Sequence, residues 1–345
     1  MNTLTQNPYF RNQNNNKQRM NQLYPLKFHP LFKDKIWGGQ KIKTHMSLDF
    51  SPLPNCGEAW VLSGVKDNET VVSEGWLEGN HLNELVEIYM DELVGEKAFD
   101  KHGEEFPLLI KIIDSNDWLS IQVHPDDELA KKRHNGSGKT EMWYVLQADM
   151  NAELISGFNQ KMNRELYLKH LENKALPEIM NFEKVKTGDV FYMPSGRVHA
   201  LGPGVLLAEI QQTSDITYRI YDWDRMDAQG KPRELHTESA LDAIDFNFYD
   251  DHRIKADIKP DRTSPVVKSQ YFTTNMLRLT RPLPKDYSEL NSFVIYLCCS
   301  GSASVEFAGG TSALNKGECL LIPATLKRIA IKPLPLTEIL EIYPV

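Results

Sequence analysis

Two spaced histidine motifs constrain the fold of this chain more than any other feature of its sequence. The first places Gln122 and His124 two residues apart in an apolar segment, with Glu141 just before a later apolar run. The second runs from Gly188 to His199 and fits the pattern G-x5-P-x-G-x2-H at every specified position. Residues two apart in a strand point to the same side of a sheet, so these side chains can converge on one interior. The motifs therefore predict a mainly β fold around one divalent metal.

The donor atoms narrow the choice of metal. The four candidate ligands are Gln122, His124, Glu141 and His199. Two imidazole nitrogens with carboxylate and amide oxygens suit zinc, iron, manganese or nickel, and no thiolate favours a closed structural zinc site. Gln122 is the poorest donor of the four, because its amide is neutral, and it could instead orient a water molecule. The other eight histidines lie outside such motifs and are expected to be surface or packing residues.

Short apolar segments separated by Gly, Pro and Asn predict strands along most of the chain. In the first part of the chain these segments are 61–63, 108–113, 119–123, 142–146, 190–193 and 205–210. Apolar side chains at helical spacing predict helices within 80–96 and 161–172, and a third helix with Thr237 as its N-cap. The expected fold class is mainly β, with barrels of the cupin (jelly-roll) type and a few helices.

Three parts are expected along the chain. Residues 1–22 are rich in Asn and Gln, lack the apolar segment of a secretory signal, and are predicted to be a disordered extension. Residues 23–255 are predicted to form a catalytic cupin domain with helical segments. Residues 256–345 are predicted to form a second, barrel-like β domain.

The second domain is expected to open with a polar, Pro-containing linker at 256–270. Its predicted strands are 292–299, 303–307, 319–322 and 328–331. Residues 317–323 repeat the spacing and character of 188–194, but no histidine follows at the ligand position. This copy is therefore predicted to lack the metal.

Composition excludes some classes of function. A net charge of -8 argues against a nucleic-acid-binding surface. No apolar run approaches the roughly 18 residues of a membrane span. The four cysteines show neither C-x2-C spacing nor a disulfide framework, so free thiols in a reducing cytoplasm are expected. The sequence carries no signal of an oligomeric state.

Longer stretches around the motifs resemble a known family. The sequence LSIQVHP at 119–125, followed by GKTEMWY at 138–144, is similar to the signature of type I mannose-6-phosphate isomerases, members of the cupin superfamily. Further matches lie in the family's order at 36–39, 57–60, 107–111 and 211–222. The matches extend from about residue 24 to 245. Only 57 residues separate Glu141 from His199, as in the short bacterial form of the family.

The resemblance implies an activity and a set of site residues. It implies interconversion of mannose 6-phosphate and fructose 6-phosphate, with one zinc ion per chain and a phosphorylated hexose as substrate. A proton would move between C1 and C2 through a cis-enediol. Position by position, the resemblance implies zinc ligands at Gln122, His124, Glu141 and His199, an active-site arginine at Arg219, and pocket lysines at Lys111 and Lys139.

Physical reasoning agrees with these roles and leaves alternatives. Arg219 cannot be the base, because its pKa is too high, so it is assigned to the negative charge of the enediolate. A metal-bound water, Lys139 or a nearby carboxylate could be the acid and base. Lys111 interrupts an apolar run, either paired with a structural carboxylate or directed at an anionic substrate. Lys139 follows two glycines and lies either in the pocket or in a mobile, solvated loop. Trp37 and Trp60 could line the pocket or only pack.

Two rival functions remain from the sequence. One is an iron-dependent cupin oxygenase that uses the same ligands. The other is a non-catalytic sugar-binding protein on the same fold. Cations at Lys111, Lys139 and Arg219 favour a phosphorylated sugar over the first, and retention of all four ligands argues against the second.

Overall fold

The computed structural model describes residues 22–226 and 230–345, and the fold of these residues is mainly β. Apart from Gln22, the predicted N-terminal extension lies outside the described residues. The strands of the first part are β1 (Leu26–His29), β2 (Leu31–Lys33), β3 (Glu58–Leu62), β4 (Gly64–Val65), β5 (Asn68–Glu69), β6 (Val71–Val72), β7 (Leu108–Ser115), β8 (Ile121–Val123), β9 (Glu141–Ala148), β10 (Glu153–Phe158), β11 (Met180–Lys184), β12 (Val190–Met193), β13 (His199–Leu201), β14 (Val205–Gln212), β15 (Tyr218–Tyr221) and β16 (Arg253–Ile254).

The remaining strands belong to the C-terminal part, and the helices lie between strands of the first part. The C-terminal strands are β17 (Thr263–Lys268), β18 (Phe272–Leu279), β19 (Leu283–Asp286), β20 (Val294–Phe307), β21 (Gly310–Asn315), β22 (Cys319–Ile322) and β23 (Arg328–Pro344). The helices are α1 (Lys41–Thr44), α2 (Leu82–Val94), α3 (Glu96–His102), α4 (Asp127–His134), α5 (Arg164–Glu172) and α6 (Thr237–Ala243), with a 3-10 turn at Leu176–Ile179. No helix of the described residues is long and apolar enough to cross a membrane.

Three larger antiparallel sheets contain most of the strands, and β4 and β5 form a separate two-stranded sheet. The first has seven strands in the order β16-β12-β9-β14-β7-β3-β2, and the second has five in the order β11-β10-β13-β8-β15. The third has nine strands, with a main path β17-β18-β23-β20-β22-β1-β6 and with β19 and β21 paired at its side. Strands β7 and β14 are buried along all eight of their residues, which explains why most of their side chains are apolar.

Separate apolar layers hold the sheets together. One layer lies between the seven- and five-stranded sheets and includes Phe191 and Leu207 from the first and Leu154 and Leu201 from the second. Helices α5 and α6 cover the other face of the five-stranded sheet. A larger layer joins the seven-stranded sheet to the nine-stranded sheet and to α2. Burying each Leu or Phe side chain contributes about 2 kcal/mol, so these layers fix how the sheets pack.

The two copies of the internal repeat form the same turn. Gly188 donates its N–H to the carbonyl of Val145 at 2.8 Å, and Val145 donates to the carbonyl of the residue after Gly188 at 2.9 Å. Equivalently, Gly317 donates its N–H to the carbonyl of Cys298 at 2.8 Å, and Cys298 donates to the carbonyl of Glu318 at 3.1 Å. Both glycines have positive φ, at +88° and +84°, a conformation that favours glycine. The short repeat in the sequence thus marks a shared turn.

Three sequence predictions need correction at their boundaries. The predicted linker at 256–270 contains the strand β17, because Pro265 lies in an edge strand at a register shift, where proline is tolerated. The strands predicted at 292–299 and 303–307 are one strand, β20, whose register shifts between Cys298 and Ser302. Thr237 is the first residue of α6, and His236 occupies the N-cap position.

The beginning and end of the described chain meet in one sheet. Strand β1 pairs with β22, with Leu26 opposite Leu321, and its C-terminal half pairs with β6. The nine-stranded sheet therefore combines strands from both ends of the sequence.

Candidate metal centre and active site

The five-stranded sheet places three of the predicted site residues side by side. Gln122 on β8 is opposite His199 on β13, and on its other side it is opposite Arg219 on β15. His124 follows β8 directly, two residues after Gln122. Because the strands are in register, residues that lie far apart in the sequence form one row.

The seven-stranded sheet contributes a second row. Glu141 begins β9, as the sequence predicts, and is opposite Met193 on β12. Along the same sheet, Glu209 on β14 is opposite Trp143 on one side and Lys111 on the other, and Lys111 is opposite Trp60. The edge of the Trp143 ring meets the His199 ring, with centroids 5.3 Å apart, so the two rows approach each other.

His124, Glu141 and His199 form a cluster that can hold a metal ion. One possible ligand atom from each lies within 4.8 Å of the others, and all three side chains are buried. Nε2 of His124 is 3.7 Å and Nε2 of His199 is 3.3 Å from a carboxylate oxygen of Glu141. The amide nitrogen of Gln122 lies 3.2 Å from Nε2 of His199. Rotating the amide by 180° would present the carbonyl oxygen at that position, so the fourth predicted ligand also reaches the cluster.

Backbone carbonyls orient both imidazoles. Nδ1 of His124 lies 2.9 Å from the carbonyl of Ile216, and Nδ1 of His199 lies 2.8 Å from the carbonyl of Arg197. A carbonyl only accepts, so each Nδ1 carries the hydrogen and each Nε2 directs a lone pair at the cluster. Burial lowers the pKa of both histidines, to about 4 for His199, so both rings stay neutral. Neutral imidazole is the form that binds metals.

The carboxylate of Glu141 fits a metal better than it fits the protein alone. Its side chain is fully buried, and neither oxygen accepts a hydrogen bond from the described residues. Burial, and then the charge of Glu209, raise its pKa. A buried carboxylate that accepts no hydrogen bond is costly even beside Lys139, and a divalent cation between two imidazole nitrogens would compensate it. The residues present therefore suit a metal with nitrogen and oxygen ligands.

The two predicted pocket lysines are both buried. Nζ of Lys111 is 3.0 Å from Glu209 and 3.9 Å from Glu58. Nζ of Lys139 is 3.1 Å from Nε2 of His124 and 3.2 Å from Glu141. The interpretation of Lys139 as a solvated loop residue is therefore wrong, since Lys139 is only 5% exposed.

A cavity of about 430 Å³ opens beside the cluster. This volume lies within the range of roughly 300–1,000 Å³ that is typical of small-molecule sites. Trp37 and Trp60 line the cavity and are also buried, so each contributes both to the cavity wall and to the packing of the core. Its cationic lining residues are Lys33, Lys35, Lys111, Lys139, Arg219 and Arg233. The lining suits a small, anionic and polar molecule.

Arg219 is anchored at both its backbone and its guanidinium group. Its N–H donates to Nδ1 of His236 at 3.0 Å, and Nη1 donates to the carbonyl of Glu234 at 2.8 Å. Its Nε has no hydrogen-bond partner within the part of the chain that the structure describes. That nitrogen is buried, and the guanidinium is held in place where Arg219 lines the cavity.

Sequence reasoning missed Glu209 and His236. Glu209 accepts hydrogen bonds from Lys111 at 3.0 Å and from Trp143 at 3.0 Å. The sequence did contain an indication of Glu209, because this glutamate interrupts an apolar run just as Lys111 does. The sequence contained no such indication of His236, since its contact with Arg219 depends on how the segment between β15 and α6 folds back onto β15.

Comparisons with known proteins agree with this geometry. The profile of the phosphomannose isomerase type I catalytic domain matches residues 25–155, and that of the mannose-6-phosphate isomerase cupin domain matches residues 262–333. A mannose-6-phosphate isomerase of Bacillus subtilis (strain 168) is 36% identical over 305 residues, covering 87% of this chain and 93% of that protein. One from Streptococcus mutans serotype c is 35% identical over 315 residues, covering 88% and 93%. A crystal structure of the Bacillus subtilis mannose 6-phosphate isomerase matches with a TM-score of 0.83 at 32% identity, covering 92% of this chain and 99% of that one.

Proposed function

Since this chain belongs to the type I phosphomannose isomerase family, we propose that Gln122, His124, Glu141 and His199 hold one zinc ion for its reaction. That reaction is an aldose–ketose isomerisation, the interconversion of D-mannose 6-phosphate and D-fructose 6-phosphate. The observation that carries the proposal is the buried cluster of His124, Glu141 and His199 beside a cavity lined with cations.

The chemistry requires a proton to leave one carbon and join its neighbour. Removing a proton beside a carbonyl builds negative charge on the carbonyl oxygen, and a cis-enediol lies between the two sugars. Bound zinc would supply positive charge near that oxygen. The side chains must therefore hold the sugar, stabilise the charge and carry the proton.

Arg219 stabilises the charge in this proposal. Its guanidinium stays protonated, and Arg219 lines the cavity in which the sugar would bind. Because its backbone and Nη1 are already hydrogen-bonded, the group needs little rearrangement when the sugar binds. A fixed donor aimed at developing charge lowers the barrier more than a mobile one does.

In this proposal the neutral amine of Lys139 takes the proton from one sugar carbon and, as an ammonium, returns it to the neighbouring carbon. Nζ lies 3.1 Å from Nε2 of His124 and 3.2 Å from Glu141, so a sugar bound at the cluster would lie next to it. Lys111 contributes to substrate binding as a second buried cation, held in place by Glu209. Both assignments follow from position and charge, because general acid–base groups must lie within hydrogen-bond reach of the proton they move.

Three further assignments belong to the same proposal. Residues 23–255 form the catalytic domain and 256–345 a cupin-like domain without metal ligands. Zinc is favoured by a donor set of two histidines and a carboxylate, a set used in catalytic zinc sites. The cytoplasm is favoured by the four cysteines, which are all free and buried. The iron-dependent oxygenase and the non-catalytic sugar-binding protein are not favoured.

A coupled assay tests the function. Mannose 6-phosphate is supplied to the full chain and the fructose 6-phosphate formed is measured, before chelation, after chelation and after zinc is returned. Turnover should disappear with the metal and come back with it. Fully metallated protein that forms no fructose 6-phosphate would exclude the proposed activity. Oxygen consumption by iron-containing protein would favour the oxygenase instead.

A further inference from the structure

A hydrogen bond connects the C-terminal domain to Asp127, the first residue of α4, which in turn holds the loop that carries Lys139. The hydroxyl of Tyr271, in the turn between β17 and β18, donates to Oδ2 of Asp127 at 2.7 Å. We propose that Tyr271 and Asp127 are positioning residues, which hold the loop 135–140 so that Lys139 stays at the metal cluster. The inference rests on the proposed role of Lys139 in the isomerase reaction.

Asp127 fixes the backbone on both sides of Lys139. Its Oδ1 accepts the N–H of Gly138 at 2.8 Å and the side-chain amide of Gln212 at 3.0 Å. The amide oxygen of Gln212 in turn accepts the N–H of Thr140 at 2.9 Å. The residues immediately before and after Lys139 are therefore tied, directly or through Gln212, to one carboxylate.

The approach of the loop to Asp127 is close enough to require glycine. A Cβ at Gly138 would lie 2.6 Å from the backbone nitrogen of Asp127 and 2.9 Å from its Oδ1. Real Cβ atoms do not approach other atoms so closely, so any larger residue would push the loop away. The neighbouring carbonyl of Ser137 also accepts a hydrogen bond, from the hydroxyl of Ser214 at 2.9 Å. The loop is thus held along its length.

Tyr271 is itself fixed within the C-terminal domain. Its N–H donates to the hydroxyl of Ser269 at 3.1 Å, and its carbonyl accepts the N–H of Val345 at 3.2 Å.

Burial, and then the hydrogen bond to Asp127, raise the pKa of Tyr271 to about 12, so its hydroxyl remains a donor. Burial would raise the pKa of Asp127, but the donors Tyr271, Gln212 and Gly138 outweigh it and lower that pKa. The carboxylate stays ionised, and hydrogen bonds to an ionised acceptor are the stronger kind.

The consequence for catalysis follows from the position of the ammonium group. Nζ of Lys139 lies 3.1 Å from His124, and a displacement of a reacting group by about 1 Å can slow an enzyme about 100-fold. A contact that serves only stability would alter the unfolding transition and leave turnover by the folded enzyme alone. A positioning contact instead lowers kcat while KM stays nearly constant.

The test uses the full chain with zinc bound and compares Tyr271→Phe, Asp127→Asn and the double variant. Tyr271→Phe should lower kcat about tenfold with KM changed less than about twofold, the effect of losing one hydrogen bond to a charged group. Asp127→Asn should lower kcat further, and the double variant should be no slower than Asp127→Asn, because both act through one contact. A change in melting temperature or KM without a fall in kcat would overturn the proposal.

The matched control is Tyr24→Phe. The hydroxyl of Tyr24 donates to the carbonyl of Glu74 at 2.7 Å and accepts the N–H of Leu77 at 3.1 Å, and this residue does not line the metal cavity. The control removes the same atom from a tyrosine that also forms hydrogen bonds, here with backbone groups far from Lys139 in the sequence. It should keep the kcat of the wild-type enzyme, and an equal fall in both variants would contradict a specific role for Tyr271.

Hydrogen–deuterium exchange separates this inference from the activity itself. In zinc-bound protein without substrate, the amides of Gly138 and Thr140 should exchange several-fold faster in Tyr271→Phe than in wild type or Tyr24→Phe. Unchanged exchange would overturn the positioning proposal even if the enzyme is active. If the wild type shows no turnover but Tyr271→Phe still exchanges faster, the result would support the proposal that Tyr271 holds the loop. It would exclude only the proposed function.

Discussion

Lys111 and Glu209 face each other on the neighbouring strands β7 and β14 and form a 3.0 Å ion pair inside the fold. Their side chains are only 8% and 5% exposed. Burial alone would lower the pKa of Lys111, but Glu209 and then Glu58 raise it, so the lysine stays charged. This lysine is paired with a carboxylate, which is one of the two alternatives posed by the sequence, and it also lines the cavity. Its contact with an anionic substrate stays a prediction.

Breaking this pair should destabilise the protein strongly. Glu209→Gln should lower the free energy of unfolding by about 3 kcal/mol, because Lys111 would lose its nearest counter-charge in a buried position. Urea denaturation of the zinc-bound protein measures the change. The exposed pair of Asp251 and Lys255 gives the control, since Asp251→Asn should leave the unfolding transition nearly unchanged. A loss for Glu209→Gln as small as that of the control would show that the pair contributes little.

Removing a histidine ligand should abolish zinc retention. His199→Ala leaves two strong donors, His124 and Glu141, and a catalytic zinc site normally uses about three. Elemental analysis after dialysis should find about one zinc per chain in the wild type and almost none in the variant. His29→Ala, at an exposed histidine of β1, should keep its zinc. Full retention by His199→Ala would place the metal elsewhere.

Arg219 should be needed for turnover and not for metal binding. Arg219→Ala should keep its zinc and lower kcat about 100- to 1,000-fold, the usual effect of removing a fixed donor to developing charge. Arg219→Lys should recover only part of the rate, because an ammonium cannot reproduce the planar guanidinium. Arg164→Ala, at an exposed arginine of α5, should turn over normally. Normal turnover by Arg219→Ala would refute the role proposed for Arg219.

Stability should decline in mild acid through His252. This buried histidine presents Nδ1 to Nη1 of Arg197 at 2.7 Å, and burial and then Arg197 lower its pKa. The unfolded chain, with a pKa of about 6.5, therefore takes up a proton first as the pH falls. The contribution of His252 to the free energy of unfolding is therefore complete above that pH and is lost as the pH falls below it. Because at most one proton is taken up, the loss is at most about 1.4 kcal/mol per pH unit.

The comparison of wild type with His252→Gln isolates this effect. Urea denaturation at pH 7.5 and 5.5 should show that the stability advantage of the wild type shrinks at the lower pH. An advantage that stays constant, or grows, in acid would mean that His252 takes up a proton in the folded protein as readily as in the unfolded one.

The metal cluster could be predicted from the sequence because its residues lie in local patterns. His124 and Gln122 share one strand-like segment, and His199 follows a turn whose glycine and proline are fixed in spacing. The side chains that support the cluster are single residues without such patterns. Asp127 and Tyr271 meet across 144 positions of sequence, and only the packing of two sheets brings them together.

The element boundaries that were mispredicted share a physical cause. Pro265 suggested a linker, yet an edge strand leaves one side of its backbone unpaired and accepts a proline there. Ser300 and Gly301 suggested a break between two strands, yet β20 continues through them with a shifted register. In both cases pairing with neighbouring strands overrode the local preference of the residues.

The pairing of β1 with β22 has a consequence for any attempt to divide this protein. Cutting the chain at residue 255 would leave Leu321 without its partner Leu26 and would expose an edge of β22. A C-terminal fragment expressed alone should therefore aggregate through that edge, whereas two fragments produced together should reassemble into one active particle. Each half of the molecule would need the strands of the other half to complete the nine-stranded sheet.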